Sequence, residues 1–183
     1  GETAAVMVEE LRKLGIETMR CGIGIMHEPG EMEVWTIQTE QEGKSGIIIG
    51  TLDMHMHPLL HGAFENWRKK GPRFSYLLEG DDLIRYYEAI NNYPGYPIRY
   101  DLSTLPTLIY HNEFYFPEGV LFAFTLLPME DTQKAIFQRF AGIFGQTYRR
   151  YLDLVRAEKQ ARESNIEAAL ERVRSKAMAM RTS

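Results

Sequence analysis

Apolar residues recur along the chain at two spacings, and the changes between them predict the order of helices and strands. The first segment, ETAAVMVEELRKLG, places Met7, Leu11 and Leu14 on one helical stripe, and Gly15 ends the stripe. The segments MRCGIGIMH and EMEVWTIQT alternate as strands do, and the turn EPGE between them predicts a hairpin. The segment SGIIIGTL predicts a third, short strand.

Helical spacing returns after Pro58, where Leu60, Phe64 and Trp67 predict a helix that ends at KKGP. RFSYLLEG predicts a strand, and DDLIRYYEAINN predicts a helix that opens with acidic candidates for its N-cap. The stretch YPGYPIRYDLSTLP is rich in proline and tyrosine, which predicts a long loop. A loop of this length is either a lid or binding element or only a surface excursion. TLIYHNEFYF and GVLFAFTLL predict a second hairpin, whose last strand is apolar on both sides and therefore central.

The predicted order is α-β-β-β-α-β-α-loop-β-β-α, which indicates an α+β fold. We expect a central antiparallel sheet with the terminal helices on one face and the middle helices with their loop on the other. Gly22 and Gly24 interrupt the first strand, which indicates that another group approaches its backbone closely. The last helix begins near Glu130, and we expect a globular domain over residues 1–151 and a separate helix over residues 152–183.

The final helix carries a thin apolar stripe among charged residues. Five residues at steps of 4, 3, 4 and 3 form the seam of a two-stranded coiled coil: Ile166, Leu170, Val173, Ala177 and Met180. An upstream set ends at Val155, and its eleven-residue separation from Ile166 breaks the frame and loosens a left-handed supercoil. Because a lone helix of this kind is marginal in water, we predict that it pairs with a second copy. The alternative is a tail that folds back or frays.

Composition narrows the classes of function. Of the 183 residues, 44% are hydrophobic, which is enough for a packed core, and the net charge of -4 argues against nucleic acid as the main partner. No apolar run reaches the length that crosses a membrane. A single cysteine, Cys21, fits a reducing compartment such as the cytoplasm. The chain begins at Gly1 rather than Met, which we take as a remnant of expression or the mark of a piece cut from a longer protein.

Two parts of the sequence resemble bacterial sensor proteins. AEKQARESNIEAALERVRSKAMAM is similar to the linker that precedes the output module of sensor histidine kinases, and the preceding part, with RCGIGI and HPLL, resembles a GAF-type sensory domain. The resemblance implies a sheet of five or six strands, a ligand pocket opposite the terminal helices, and dimerisation through those helices. It also implies a cytoplasmic, non-catalytic module of a two-component system whose kinase lies elsewhere in the parent protein.

Three histidines, His55, His57 and His61, raise the alternative of a zinc site. No cysteine or carboxylate cluster accompanies them, and Pro58 after His57 is typical of a helix start, so we predict no metal site. Cys21 with His27 or His111 lacks an orienting carboxylate, so we predict no catalytic residue and interpret Cys21 as a small buried hydrophobic residue.

Three further cofactor classes are tested against the sequence. Bilin-binding GAF domains typically carry His after the attachment cysteine, whereas Gly22 follows Cys21 here, and the residue set of cyclic-nucleotide-binding members is not recognisable. GIG lacks the third glycine of a dinucleotide loop. The sequence therefore identifies no cofactor.

Dense aromatic residues predict either ordinary core packing or a small-molecule pocket between the sheet and the loop. For the pocket we predict apolar walls and a few polar groups: Trp67, Tyr76, Tyr87 and Tyr110, with His57, Arg73 and His111. The function predicted is a ligand-sensing and dimerisation module. The alternatives are a structural dimerisation domain without a ligand and a small metal-dependent hydrolase that uses the three histidines.

Overall fold

The computed structural model describes residues 2–39 and 45–182. The predicted element order is confirmed, and a short 3₁₀ helix at Leu102–Thr104 is added within the loop. The helices are α1 Glu2–Lys13, α2 Pro58–Arg68, α3 Gly80–Asn92 and α4 Asp131–Arg181. The strands are β1 Arg20–His27, β2 Glu31–Thr39, β3 Ser45–Asp53, β4 Arg73–Glu79, β5 Leu108–Phe116 and β6 Gly119–Thr125.

The strands form one antiparallel sheet in the order β3-β2-β1-β6-β5-β4, which confirms the α+β class. The first and last strands of the chain meet in the middle, where Cys21 pairs with Ala123 and Ile23 pairs with Leu121. Every residue of β6 is buried, as the run of apolar residues on both of its sides predicts. The two predicted hairpins therefore join through β1 and β6, which pair at the centre of one continuous sheet.

One face of the sheet packs against the terminal helices. The ring of Phe114 on β5 stacks on Phe137 of α4, with ring centroids 5.3 Å apart. Leu14, just after α1, lines a shallow pocket together with Ile136 and Phe140 of α4. The ends of the globular region thus cover the same side of the sheet, as the sequence predicts.

The opposite face packs against α2, α3 and the loop that follows α3. The hydroxyl of Tyr115 on β5 lies 3.0 Å from the carbonyl oxygen of Ala63 in α2. On β6, the ring of Phe124 lies 6.0 Å from that of Tyr86 in α3. Because side chains alternate along a strand, each strand contributes separate residues to the two layers of core.

Two helix starts show how local chemistry sets these elements. His57 caps α2 by accepting a hydrogen bond from the backbone N–H of Leu59 at 3.1 Å, and Pro58 occupies the first turn. The acidic N-cap predicted for α3 is wrong, because the cap position is Glu79, whose side chain makes no capping hydrogen bond. Asp81 and Asp82 lie in the first turn instead, where negative charge is favourable beside free backbone N–H groups.

The chain divides into two compact units, Gly1–Gly145 and Gln146–Ser183, so the division falls slightly before the predicted boundary after Tyr151. In the second unit the predicted seam is exposed, with Leu170 55% and Val173 67% accessible. Ion pairs within this unit include Glu171–Arg174 at 3.0 Å, and such exposed pairs add only a little helix stability. Across the described ranges, none of the helices combines the length and apolar character needed to cross a bilayer.

Candidate ligand site

An internal cavity lies between the sheet and helices α2 and α3. Its volume is about 20 Å³, which is room for a water-sized group or one slightly larger. Most of its wall is apolar and comes from buried residues of the sheet, α2 and α3. Its polar lining comes from three strands, from α3 and from the loop that follows α3: Arg20, Thr36, Tyr86, Tyr96, His111 and Glu113.

The register of the sheet brings the polar side chains together. Arg20 on β1 pairs with Phe124 on β6, and Phe124 pairs with His111 on β5. These three residues therefore stand in one row across three strands, although the chain separates them widely. Glu113, two positions after His111, lies on the same face of β5.

The Arg20 guanidinium lies among aromatic rings. Its Cζ is 4.2 Å from the centroid of Phe124 and 5.2 Å from that of Tyr100. Its Nη1 donates to the hydroxyl of Tyr100, and its Nη2 donates to the hydroxyl of Tyr86 at 3.4 Å. The Nε atom is inaccessible to solvent and has no hydrogen-bond partner among the described residues.

The phenol groups around Arg20 do not neutralise its charge at neutral pH. Burial raises the pKa of Tyr86, Tyr87 and Tyr100, so each keeps its proton and acts only as a dipole. In the described part of the chain, Arg20 forms no ion pair with a carboxylate, and the groups that act on it electrostatically are all tyrosines. A buried cation that lacks an opposite charge is unfavourable unless something else supplies that charge.

His111 and Glu113 form a second polar group on the cavity wall. The distance from His111 Nε2 to Glu113 Oε1 is 2.8 Å, and the Tyr115 hydroxyl lies 2.7 Å from Glu113 Oε2. His111 is only 2% exposed, and its Nδ1 is buried without a hydrogen-bond partner among the described residues. The cavity wall thus includes a cation, a carboxylate and two residues with a buried, unsatisfied nitrogen atom, a setting that favours a small polar guest over an apolar one.

Only part of the predicted pocket is assembled here. His111 lines the cavity, and Tyr87 packs beside it, with its ring centroid 5.1 Å from Tyr86 and 4.9 Å from Tyr100. The loop contributes Tyr96, whose hydroxyl lies 3.0 Å from Thr36 Oγ1. The loop therefore contributes to the wall of this cavity.

His57 and Tyr76 meet at a different place, around Asp82. His57 Nε2 lies 3.2 Å from Asp82 Oδ1, and the Tyr76 hydroxyl donates to Oδ2 at 2.8 Å. Burial lowers the pKa of His57, with Asp82 opposing that shift, whereas burial and then Asp82 raise the pKa of Tyr76 to about 12. Because His57 also caps α2, this group fastens the start of α2 to α3 and does not face the cavity.

The remaining predicted residues lie elsewhere. Trp67 donates its ring N–H to the carbonyl of Pro117 at 3.1 Å and lines a surface groove. Arg73 Nε donates to Gln138 of α4 at 3.3 Å, on the face of the terminal helices. Tyr110 shares that face because it precedes His111 by one residue on β5. The seven residues predicted for one pocket are thus divided between two faces of the sheet.

The three histidines considered for zinc do not converge. His55 Nδ1 lies 3.3 Å from His61 Nδ1, whereas His57 turns to Asp82. Within residues 2–39 and 45–182, no three His, Cys, Asp or Glu side chains are placed to hold a metal ion. Cys21 is 2% exposed, which confirms its interpretation as a buried residue, and burial raises its thiol pKa to about 11.

Sequence reasoning missed most of the cavity's polar lining, above all Arg20, Tyr86 and Glu113. One signal was present in the predicted strand LIYHNEFYF, where His111, Glu113 and Tyr115 alternate and so share a face. Arg20 likewise shares a face with the glycines of β1. When polar residues occupy alternate positions of strands that flank a fully apolar strand, they share one face and indicate a polar cluster inside the fold.

Comparison of the chain with known protein families, with curated proteins and with solved structures finds no match.

Proposed function

We propose that the chain is a GAF-like regulatory module of a bacterial signal-transduction protein of the sensor histidine kinase kind. It acts in the cytoplasm as a parallel homodimer, senses a small molecule, and passes the state of its cavity to an output domain through paired C-terminal helices. The observation that carries the proposal is the exposed apolar stripe on a helix continuous in sequence with a domain that holds a polar cavity.

The stripe supports pairing because its aliphatic side chains have no cover within the single chain. Ile166 is 53% exposed, Leu170 55% and Val173 67%. Burying one such side chain completely contributes about 1.5–3 kcal/mol, so a seam of several residues can offset the entropy lost on association. The spacing of these apolar residues matches a parallel two-stranded coiled coil. In such a pair, a second copy of the helix places its own stripe at the same position along the axis.

The proposed signal is a change between two arrangements of the paired helices. The break of frame between Val155 and Ile166 gives the pair two nearly equivalent registers or rotations. A guest in the cavity that binds one arrangement more tightly, by about a few kcal/mol, shifts the population toward it. An output domain then responds to the position of the helices.

Disulfide crosslinking of single cysteines placed along residues 152–180 tests this function, with and without small molecules carried through purification. The native Cys21 can stay because its buried thiol, with pKa raised to about 11, reacts slowly. Val173→Cys in the seam should crosslink faster than Ser175→Cys on the outer side, and the pattern should change with the ligand. Equal rates at the two positions, or a pattern identical under every condition, would contradict the proposal.

A structural dimerisation domain without a ligand is the second candidate, and the small size of the cavity favours it. A volume of about 20 Å³ excludes a nucleotide or a bilin from the arrangement described. If this candidate is correct, the seam still crosslinks, but no small molecule changes the crosslinks or the melting temperature. The metal-dependent hydrolase gains no support from the placement of the three histidines.

A further inference from the structure

We propose that the internal cavity is a site for a small monovalent anion held by Arg20 and His111. The inference rests on the proposed sensing function and names the chemical class of its ligand. The anions that fit are the smallest ones, a halide or formate.

The first argument is charge. Arg20 keeps its proton at any physiological pH, and its side chain is inserted between the rings of Phe124 and Tyr100. Aromatic faces offset part of the loss of hydration, but they carry no net negative charge. In the described parts of the chain no carboxylate forms an ion pair with this guanidinium, and Glu113 on the cavity wall contacts His111 and Tyr115 instead, so a small anion would supply the opposite charge.

The second argument is hydrogen bonding. Two residues of the cavity wall each have a buried nitrogen atom without a partner among the described residues, Nε of Arg20 and Nδ1 of His111. Native structures leave few buried polar atoms unsatisfied, and two on one small cavity indicate a common partner. An oxyanion or a halide accepts from Arg20 Nε–H, and it accepts from His111 whenever Nδ1 carries the hydrogen.

The proton on His111 Nδ1 is compatible with its other contact. If both ring nitrogens carry hydrogen, Nε2 donates to Glu113 Oε1 at 2.8 Å while Nδ1 donates to the anion. The anion, Arg20 and His111 then form one hydrogen-bonded group.

The third argument is size. A cavity of about 20 Å³ admits one to a few heavy atoms, and a single guanidinium matches a single negative charge. The loop stays close over the site because the backbone N–H of Tyr100 donates to Asn91 Oδ1 at 2.7 Å and Asn91 Nδ2 donates back to the Tyr100 carbonyl at 2.8 Å. Tyr96 is joined to Thr36 in the same layer. A larger ligand would have to break these contacts.

Isothermal titration calorimetry tests the site on the whole chain. The protein is equilibrated in a buffer whose only anion is the bulky gluconate, and sodium formate, nitrate and chloride are titrated separately. We expect saturable binding of one anion per chain for at least one of the three. Arg20→Met should weaken that binding at least tenfold, whereas Arg73→Met, which removes an exposed arginine on the other face, should leave it unchanged.

Absence of saturable binding for all three anions would overturn the proposal, and so would equal affinity in Arg20→Met. If circular dichroism shows that Arg20→Met does not fold, a crystal structure of the wild-type chain with the anion that binds most tightly tests the site instead. Density for the anion between Arg20 and His111 supports the site, and an anion bound only elsewhere overturns it. If no anion binds but small molecules still change the crosslinks, the anion site is wrong and the proposed function stands. If an anion binds but the chain never pairs, only the proposed function is contradicted.

Discussion

Replacing Gly22 by alanine should destabilise the centre of the sheet. A Cβ at this position would lie 2.3 Å from the carbonyl oxygen of Trp35 and 2.7 Å from Cζ of Phe122, whereas ordinary contact begins at 3.4 Å. The Phe122 ring can turn, but the carbonyl belongs to the neighbouring strand β2, so the paired backbones must move apart. Overpacking of this kind costs about 1–3 kcal/mol, and the restricted unfolded chain returns about 0.4–1 kcal/mol. We expect a net loss of about 2 kcal/mol in the free energy of unfolding.

Urea denaturation followed by tryptophan fluorescence measures this loss, at one protein concentration for all variants. Gly46→Ala is the matched control, since a Cβ at Gly46 on strand β3 would meet nothing within 4 Å. The control should unfold within about 0.5 kcal/mol of the wild type. If Gly22→Ala and Gly46→Ala were equally stable, the close packing of β1 against β2 and β6 would be refuted.

Other perturbations have outcomes that follow from the same structure. In α4, Gly142→Ala should raise the melting temperature, because a Cβ there meets nothing within 4 Å and alanine favours a helix by about 1 kcal/mol. Gly145→Ala should lower the melting temperature, because its Cβ would lie 2.7 Å from Phe116. A higher melting temperature for Gly145→Ala would contradict the packing of α4. Phe137→Ala removes a side chain with 0% exposure and should lower the free energy of unfolding by about 3–5 kcal/mol in urea; a loss below about 1 kcal/mol would contradict its burial. Cys21, with its thiol pKa raised to about 11 by burial, should react with a disulfide reagent at pH 8 only after unfolding, and immediate reaction of the folded protein would contradict that burial. Since the unfolded thiol ionises first, near 9.0, the same group should make the fold less stable as the pH rises from there toward 11.

The helices and strands could be predicted because apolar residues recur in each of them at the spacing typical of that element. The fully apolar run of β6 indicates a central strand, and the structure buries all of it. The glycines of β1 predict a close approach, which Gly22 makes to Trp35 and Phe122. The N-cap of α3 was misplaced because the acidic residues of its first turn and a true cap give the same sequence signal.

The candidate site could not be predicted in the same way because it depends on register between distant strands. Tyr110 and His111 are neighbours in the sequence but lie on opposite faces of β5, and only His111 reaches the cavity. Arg20 meets His111 only through Phe124 on the strand between them. A one-residue change of register moves a side chain to the other face, and aromatic content alone does not fix the register.

Sedimentation equilibrium of the whole chain over a range of concentrations tests the central claim, that the C-terminal helices pair along their apolar seam. The wild type should approach about twice the chain mass of 21.2 kDa. Leu170→Asp, which places a charge in the seam, should remain at 21.2 kDa, whereas Ala168→Asp, on the outward side of the helix, should still dimerise. A wild-type chain that stays at 21.2 kDa at the highest concentration, or a dimer that Leu170→Asp leaves intact, would contradict the account.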